Sequence, residues 1–413
     1  MAVIKPFRAY RPKKGLEAQI AALPYDVYNR EEACIAVKGN PMSFLNIDRA
    51  ETQFGSNVDT YAEEVYQKAH DLLWDKIREG IFVQEDKPMY YIYELTMNGR
   101  VQTGIVACAS IDDYQNQIIK KHENTRADKE LDRIHHVETC QAQTGPIFLA
   151  YRSNPQLQEI IVRTKKEQPL YDFASEDGIL HRVWCVFADT DISAIQVIFH
   201  SISEIYIADG HHRCASAVKV GLKKRDQNPN FTGDEEFNYF LSVLFADEEL
   251  MIMDYNRVIK DLNGLSPVQF IEAVSDVYNI LSKGTNCQKP TKKGQVAMFI
   301  DNTWYLLEIK DCYQNNHPVE GLDVAILQDH VLSPILGIED PKTDRRIDFV
   351  GGIRGIEALE NRVKTDSKVA FALYPTSIHE LFAVADANML MPPKSTWFEP
   401  KLRSGLFIHT IEE

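Results

Sequence analysis

Residues 204–221, EIYIADGHHRCASAVKVG, place an apolar stretch directly before a polar turn and a run of small, helix-forming residues. Residues 205–207 predict the end of a β-strand, and the spacing of residues 215–218 predicts a short helix with Gly221 as its stop. Asp209 stands where a helix N-cap is expected. The segment therefore predicts a strand, a turn and a helix in immediate succession.

The polar residues of this turn suit an anion. A helix that begins here directs the backbone N–H groups of its first turn outward at the positive end of the helix dipole. Gly210 permits close approach of a ligand, Arg213 offers a planar fork for phosphate or carboxylate, and His211 and His212 can donate to phosphate oxygens. Asp209 has the wrong sign for a phosphate site, unless it binds Mg²⁺, caps the helix or accepts a proton.

Two other interpretations of the turn stay open. In the first, Asp209 only caps the helix, the two histidines lie on the surface and Arg213 pairs with a neighbouring acid. In the second, His211 and His212 bind zinc, which is disfavoured because adjacent histidines are poorly spaced to bind one metal from a helix.

The composition of the whole chain excludes several classes of protein. Its 413 residues carry a formal net charge of -15, which would repel a nucleic-acid backbone or an anionic membrane surface. The seven cysteines are dispersed without a C-x-x-C pair, as is typical of reduced thiols. We find no signal peptide and no apolar run long enough to cross a bilayer. We therefore expect a cytoplasmic protein without nucleic-acid or membrane partners.

The pattern of elements favours an α+β fold with mixed, largely antiparallel sheets. Three hairpins are predicted, with turns at Asn98-Gly99, Asp301-Asn302 and 247–249. Helices are predicted within residues 59–80, 267–281 and 323–336. A boundary in the segment 261–267 would divide the chain into regions 1–262 and 263–413, either as two domains or as one interwoven body.

Three further segments hold candidate site residues. The first is the polar stretch 118–139, where the loop-like part contributes candidate substrate-binding residues, although a solvated charged helix explains this stretch equally well. The second is the N-terminal turn, where Asp26 is either a general base or an ordinary turn residue. The third is a proline-bounded C-terminal loop that could bind phosphate without a Walker frame. The candidates from the first and third segments are Lys120, His122, Glu123, Arg126, Lys394, Ser395 and Thr396.

Six segments together resemble the bacterial and archaeal family known as domain of unknown function 1015. They follow one another in order from residue 5 to residue 402, so the resemblance covers nearly the whole chain. They are KPFRAYRP (5–12), ALPYDV (22–27), KHENTRADKELDR (121–133), QTGPIFLAY (143–151), IADGHHR (207–213) and MPPKSTWFEPKL (391–402).

The resemblance implies a nucleotide site. The ADGHHR segment is similar to one in free serine kinases, whose nucleotide-binding unit is similar to the ParB and sulfiredoxin fold. Carried over by match, Asp209, Gly210, His211, His212 and Arg213 would bind the phosphates of ATP or ADP, with Asp209 toward Mg²⁺. Those kinases also use an N-terminal carboxylate as base, for which Asp26 is the first candidate and Glu31 and Glu32 are the others.

The function expected from the sequence is therefore transfer of a phosphoryl group from ATP or ADP to a small hydroxyl-bearing metabolite, free L-serine first among them. In this prediction Asp209, His211, His212 and Asp26 are catalytic. The alternatives are a ParB-like nucleotide-binding regulatory protein without kinase activity, a phosphate-ester hydrolase and an inactive binding protein. The oligomeric state is left open.

Overall fold

The computed structural model describes residues 1–412. The chain forms two compact units, one made of residues 1–250 with the C-terminal segment from residue 400 onward, and one made of residues 251–399. This division differs from the predicted one at 262/263, because the C-terminal segment pairs with the first unit through a short strand, His409–Thr410, beside Ala142–Gln143.

The strands of the first unit are β1 (Ile4–Lys5), β2 (Tyr10–Pro12), β3 (Phe82–Gln84), β4 (Tyr90–Met97), β5 (Arg100–Ser110), β6 (Ile119–Lys120), β7 (Ala142–Gln143), β8 (Ile147–Tyr151), β9 (Tyr171–Ala174), β10 (Leu180–Val186), β11 (Ile205–Asp209), β12 (Tyr239–Ala246) and the C-terminal strand His409–Thr410. Its helices are α1 (Glu17–Ile20), α2 (Arg30–Ala36), α3 (Leu45–Asp48), α4 (Glu63–Arg78), α5 (Ile111–Gln115), α6 (Ala127–Cys140), α7 (Pro155–Thr164), α8 (Asp189–Ser201) and α9 (His211–Gln227).

The main sheet of the first unit runs in the order β6-β11-β8-β12-β5-β4-β10-β9, and β1 also pairs with β5. Most neighbours are antiparallel, whereas β6 pairs with β11 and β8 with β12 in parallel. Apolar residues from these strands and from helices α7, α8 and α9 form one buried cluster. The predicted α+β class with largely antiparallel sheets is confirmed.

Two of the three predicted hairpins are confirmed. Asn98 and Gly99 have φ angles of 52° and 80°, the left-handed pair that a tight turn between β4 and β5 requires. The hairpin predicted around residues 247–249 is wrong. Its first strand, β12, pairs instead with β5 and β8, because both faces of β12 are apolar and suit a central position in the sheet.

The second unit holds β13 (Ile252–Met253), β14 (Tyr255–Ile259), β15 (Tyr278–Gly284), β16 (Gln295–Ile300), β17 (Thr303–Ile309), β18 (Ile347–Gly351), β19 (Val369–Leu373) and β20 (Trp397–Phe398), with helices α10 (Pro267–Val277), α11 (Asp323–Leu327), α12 (Gly355–Thr365) and α13 (Ile378–Asp386). Its sheet runs β15-β17-β16-β19-β14-β18, with antiparallel neighbours throughout. Asp301 and Asn302 form the predicted hairpin turn, with φ angles of 48° and 54°.

Helix α9 is longer than predicted, because Gly221 does not stop it. The helix continues to Gln227, and Gly221 lies inside it, facing the carbonyl group of Phe237. A β-carbon at this position would overlap the Phe237 oxygen and lie 2.8 Å from Cδ1 of Ile111. The glycine therefore permits close packing of α9 against the segment before β12.

We expect Gly221→Ala to lower the free energy of unfolding by about 1–3 kcal/mol, because the added methyl group overlaps a fixed backbone atom. At an unhindered helical position the same change would stabilise the protein by about 1 kcal/mol, so the sign of the effect tests the packing. Chemical denaturation measures it, with Gly284→Ala as control, since a β-carbon there meets nothing within 4 Å. A stabilised Gly221→Ala protein would contradict the prediction.

No helix within residues 1–412 is both long and apolar enough to cross a membrane.

Candidate nucleotide site

The predicted strand, turn and helix are present, with one correction at the cap. Strand β11 ends at Asp209, Gly210 adopts a left-handed conformation with φ of 91°, and α9 begins at His211. Gly210 is the N-cap residue and makes no side-chain cap hydrogen bond, so the prediction that Asp209 caps the helix is wrong. The left-handed turn is the reason, because it directs the chain into the helix at the glycine, one residue later than expected.

The N-terminus of α9 keeps the features of an anion site. The helix has 17 residues, and its first turn contains no acidic side chain. Since no side chain within residues 1–412 caps this end, the first N–H groups and the positive end of the dipole are available to an external acceptor. The local geometry therefore fits a bound phosphate or carboxylate group.

The Asp209 carboxylate faces two cations. Its Oδ2 atom lies 3.2 Å from Nζ of Lys401 and 4.0 Å from Nη2 of Arg213. Burial opposes ionisation of this half-buried group, but Lys401 and Arg213 more than offset burial, so the pKa of the Asp209 carboxyl lies well below its ordinary value. Asp209 is therefore an anion held between Arg213, in the first turn of the following helix, and Lys401, which lies 192 residues further along the chain.

Arg213 is fixed by two glycines and a carbonyl group. Its Nη1 atom donates to the carbonyl oxygen of Pro146 at 2.6 Å. A β-carbon on Gly210 would lie 3.0 Å from its Nη2 atom, and one on Gly145 would lie 3.4 Å from Nη1. The guanidinium group thus fits closely between two backbone segments, at positions where any side chain larger than that of glycine would crowd it. This fit orients its remaining N–H groups before a ligand binds.

The polar loop 121–126 reaches the same turn, because β6 and β11 are parallel neighbours and their carboxyl ends meet at one edge of the sheet. The backbone N–H of Arg126 donates to Nε2 of His212 at 3.0 Å. The rings of His122 and His211 meet edge to face with their centroids 4.5 Å apart. The structure therefore brings the two histidine-containing segments of the sequence together.

His122 and His211 are buried, with 2% and 7% of their surfaces exposed. Burial lowers the pKa of His122 to about 4, against a smaller opposite effect of a hydrogen bond with the Ile207 carbonyl group. Burial, and then the neighbouring His122, hold the pKa of His211 well below its ordinary value. Both imidazoles are therefore neutral at pH 7, and each can donate only one N–H.

The other residues predicted in this loop lie nearer to solvent. Lys120 ends β6 and is half-buried, as is Glu123. The guanidinium group of Arg126 is exposed and pairs with Asp128, with Nη2 and Oδ2 2.8 Å apart. Their role in holding a substrate stays a prediction.

Asp26 lies in a short 3₁₀ turn, Tyr25–Val27, and its side chain is exposed. Glu31 and Glu32 lie in the first turn of α2, where Glu32 forms an N-terminal capping box with Asn29. Which of these three carboxylates acts as the base stays a prediction, with Asp26 as its first candidate.

A narrow cavity lined by both apolar and polar side chains adjoins Arg213 within the first unit, and sequence reasoning missed it as a site. It lies between α3, α6 and the start of α9, and Asp48, Arg133, Thr144 and Ser404 contribute to its walls. Asp48 accepts a hydrogen bond from Oγ1 of Thr144 at 2.8 Å. These residues lie in four separate parts of the chain, so no local pattern in the sequence could have indicated the cavity.

The C-terminal loop residues Lys394, Ser395 and Thr396 belong to the second unit. Lys394 has a left-handed φ of 59° and its ammonium group lies 5.6 Å from the ring centroid of Tyr255. The Ser395 hydroxyl is buried and donates to the carbonyl oxygen of Pro392 at 2.7 Å. Substrate binding by these three residues stays a prediction.

Comparison with known families identifies the chain over most of its length. Residues 4–325 match the model of the family described as protein of unknown function, DUF1015. The chain belongs to this DUF1015 family. The family membership predicted from the sequence is thereby confirmed, and five of the six quoted segments lie within the matched residues. No curated protein matches the chain.

Solved structures similar to this DUF1015 protein share little sequence with it. A mutant free serine kinase in complex with AMP covers 72% of this chain and 88% of its own, at 12% identity and a TM-score of 0.37. SbnI with a C-terminal truncation, from Staphylococcus aureus, covers 71% and 82%, at 11% identity and a TM-score of 0.35. A conserved hypothetical protein from Pyrococcus furiosus covers 74% and 94%, at 15% identity and the same TM-score of 0.35.

Proposed function

We propose that this protein transfers a phosphoryl group from ATP or ADP to a small hydroxyl-bearing metabolite, with free L-serine as the acceptor. The observation that carries the proposal is the uncapped N-terminus of α9, which has Arg213 and Lys401 beside it. Catalysis of phosphoryl transfer depends mainly on positioning of the reacting groups and on stabilisation of charge, and this arrangement provides both.

The donor phosphates would bind over the first turn of α9. Gly210 leaves the backbone open to close approach, and Arg213 is oriented by its bond to Pro146. Lys401 is already paired with Asp209. A phosphate bound beside Lys401 would therefore share this lysine with the Asp209 carboxylate. His211 and His212 would donate to phosphate oxygens.

Mg²⁺ would accompany the nucleotide, since it prefers oxygen ligands and usually binds through phosphates and one or two carboxylates. The donor set fits this requirement, because Asp209 is an ionised carboxylate at the end of β11. When bound, the metal would neutralise charge on the transferring phosphoryl group. The ion pair with Lys401 would hold the carboxylate in place for the metal.

The acceptor hydroxyl needs a base, for which Asp26 is the first candidate. The low pKa of Asp209 makes it a weak base at neutral pH, because a useful base has a pKa near the working pH. In the reaction, the serine oxygen would bond to the terminal phosphorus, the bond to the departing nucleotide would break, and Asp26 would take the hydroxyl proton. Lys120, His122, Glu123 and Arg126 are the residues proposed to hold the acceptor.

The test is purified full-length protein with Mg²⁺ and either ATP or ADP, offered each hydroxyl-bearing amino acid in turn. We expect O-phosphoserine, detected by mass spectrometry, with serine preferred. An exposed arginine elsewhere in the first unit, replaced in Arg163→Ala, is the control and should leave the rate unchanged. Nucleotide binding without product would favour the regulatory alternative, and release of phosphate from phosphorylated metabolites would favour a hydrolase.

A further inference from the structure

We propose that His122, Glu123 and His211 form a binding site for a divalent transition-metal ion, for which Zn²⁺ is the best-suited ion. This site goes beyond the proposed function and does not rest on it. Each of the three side chains offers one ligand atom, and these atoms all lie within 4.8 Å of one another. Two imidazole nitrogens and one carboxylate oxygen are a donor set that such ions accept.

The distances between the three ligand atoms suit a site whose side chains move closer together when the ion binds. Zinc bonds of 2.0–2.2 Å in tetrahedral geometry place neighbouring ligand atoms about 3.3 Å apart. The three atoms would therefore have to approach one another by about 1.5 Å or less. Glu123 is half-buried and can supply part of this movement by rotation of its side chain, without a change of backbone.

His211 gives the second, independent indication of a ligand. Its side chain is 7% exposed, and its Nε2 atom is buried without a hydrogen-bond partner among the described residues. A buried polar atom left in this condition destabilises a folded protein. A metal ion bound by the imidazole would remove that cost.

His122 is oriented as a metal ligand usually is. A hydrogen bond between its ring and the backbone carbonyl group of Ile207 fixes the ring orientation. Histidines that bind metals generally donate their other ring N–H to a carboxylate or a backbone carbonyl in this manner. The edge-to-face packing of the His122 and His211 rings keeps the two imidazoles side by side.

The fold explains why the ligands meet. Strands β6 and β11 are parallel neighbours that end at Lys120 and Asp209. His122 and His211 each follow the last residue of their strand by two positions, so the same edge of the sheet presents both. Three protein ligands leave a position open for water or for an oxygen of a bound molecule.

This site differs in chemistry from a magnesium site at Asp209. Imidazole nitrogen favours zinc and similar ions, whereas Mg²⁺ prefers oxygen ligands. Substitution of the histidine ligands should therefore affect the binding of Zn²⁺ and not the binding of Mg²⁺ at Asp209.

The first experiment titrates the full-length, chelator-treated protein with Co²⁺, followed by visible absorption, and then displaces Co²⁺ with Zn²⁺. We expect one equivalent of Co²⁺ to give a d–d spectrum and Zn²⁺ to abolish it. His211→Ala and Glu123→Gln should each weaken binding by about 100-fold or more. His212→Ala is the matched control, because His212 adjoins His211 but accepts a hydrogen bond from Arg126 and lies outside the cluster.

The second experiment needs no variant, so it holds even if a substitution prevents folding. X-ray absorption of the zinc-loaded wild-type protein should show two imidazole ligands with oxygen ligands. Absence of stoichiometric binding, binding that survives both His211→Ala and Glu123→Gln in folded protein, or a spectrum without imidazole ligands would each overturn the proposal. None of these results depends on whether the protein transfers phosphoryl groups.

Discussion

Replacement of Arg213 by alanine is expected to lower kcat/KM for nucleotide-dependent phosphoryl transfer by about 100- to 1,000-fold, the loss usual for removal of one preorganised charge-stabilising donor. The guanidinium group is held by the Pro146 carbonyl group and lies close to Gly210 and Gly145, so its direction is set before a ligand binds. Asp209 keeps Lys401 as partner in the variant, so we expect the fold to survive. Steady-state kinetics and a nucleotide-binding isotherm measure the effect.

Arg213→Lys separates charge from geometry. Lysine keeps the positive charge but cannot reproduce two parallel N–H donors, so we expect activity between that of the wild type and that of Arg213→Ala. Thermal unfolding of both variants checks that the fold is retained. Wild-type kinetics in a folded Arg213→Ala protein would exclude this turn as the phosphate site.

The elements that the sequence predicted correctly depend on local interactions. Asn98-Gly99 adopts the left-handed pair of a hairpin turn because those two residues tolerate positive φ better than others. The turn after β11 likewise follows from an apolar run, a glycine and a helix-forming segment. In these places the local conformational preferences of the residues determine the structure, so a short window of sequence is sufficient to predict it.

The parts that could not be predicted depend on contacts between distant residues. Lys401 and Asp209 are 192 positions apart, and their ion pair exists only because the C-terminal segment returns to the first unit. His122 and His211 meet because β6 pairs with β11. Both strands are short and apolar, so the sequence does not indicate that they pair or in which register. The adjacent histidines suggested a poorly spaced zinc site, whereas the candidate metal ligands come from two segments.

Loss of Arg133 should destabilise the protein strongly. Its side chain is 9% exposed, lies over the Tyr25 ring at 4.0 Å from the centroid and pairs with Asp132, with Nη2 and Oδ2 3.0 Å apart. Burial opposes its charge, but Asp132 and then Tyr25 and Asp48 more than offset burial and raise the pKa of the guanidinium group. We expect Arg133→Met to lower the free energy of unfolding by about 3–5 kcal/mol, because Asp132 and Asp48 then remain buried without this cation.

Arg126→Met is the matched control for that experiment, since Arg126 and Asp128 form an ion pair at the beginning of the same helix with side chains 66% and 53% exposed. Solvent screens such a pair, and its loss should cost about 0–1 kcal/mol. Chemical denaturation of both variants gives the comparison. The double variant Arg133→Met with Asp132→Asn should be less destabilised than the sum of its single variants, because it removes the uncompensated charge together with its partner. Equal losses in Arg133→Met and Arg126→Met would show that the buried pair adds no more stability than an exposed one.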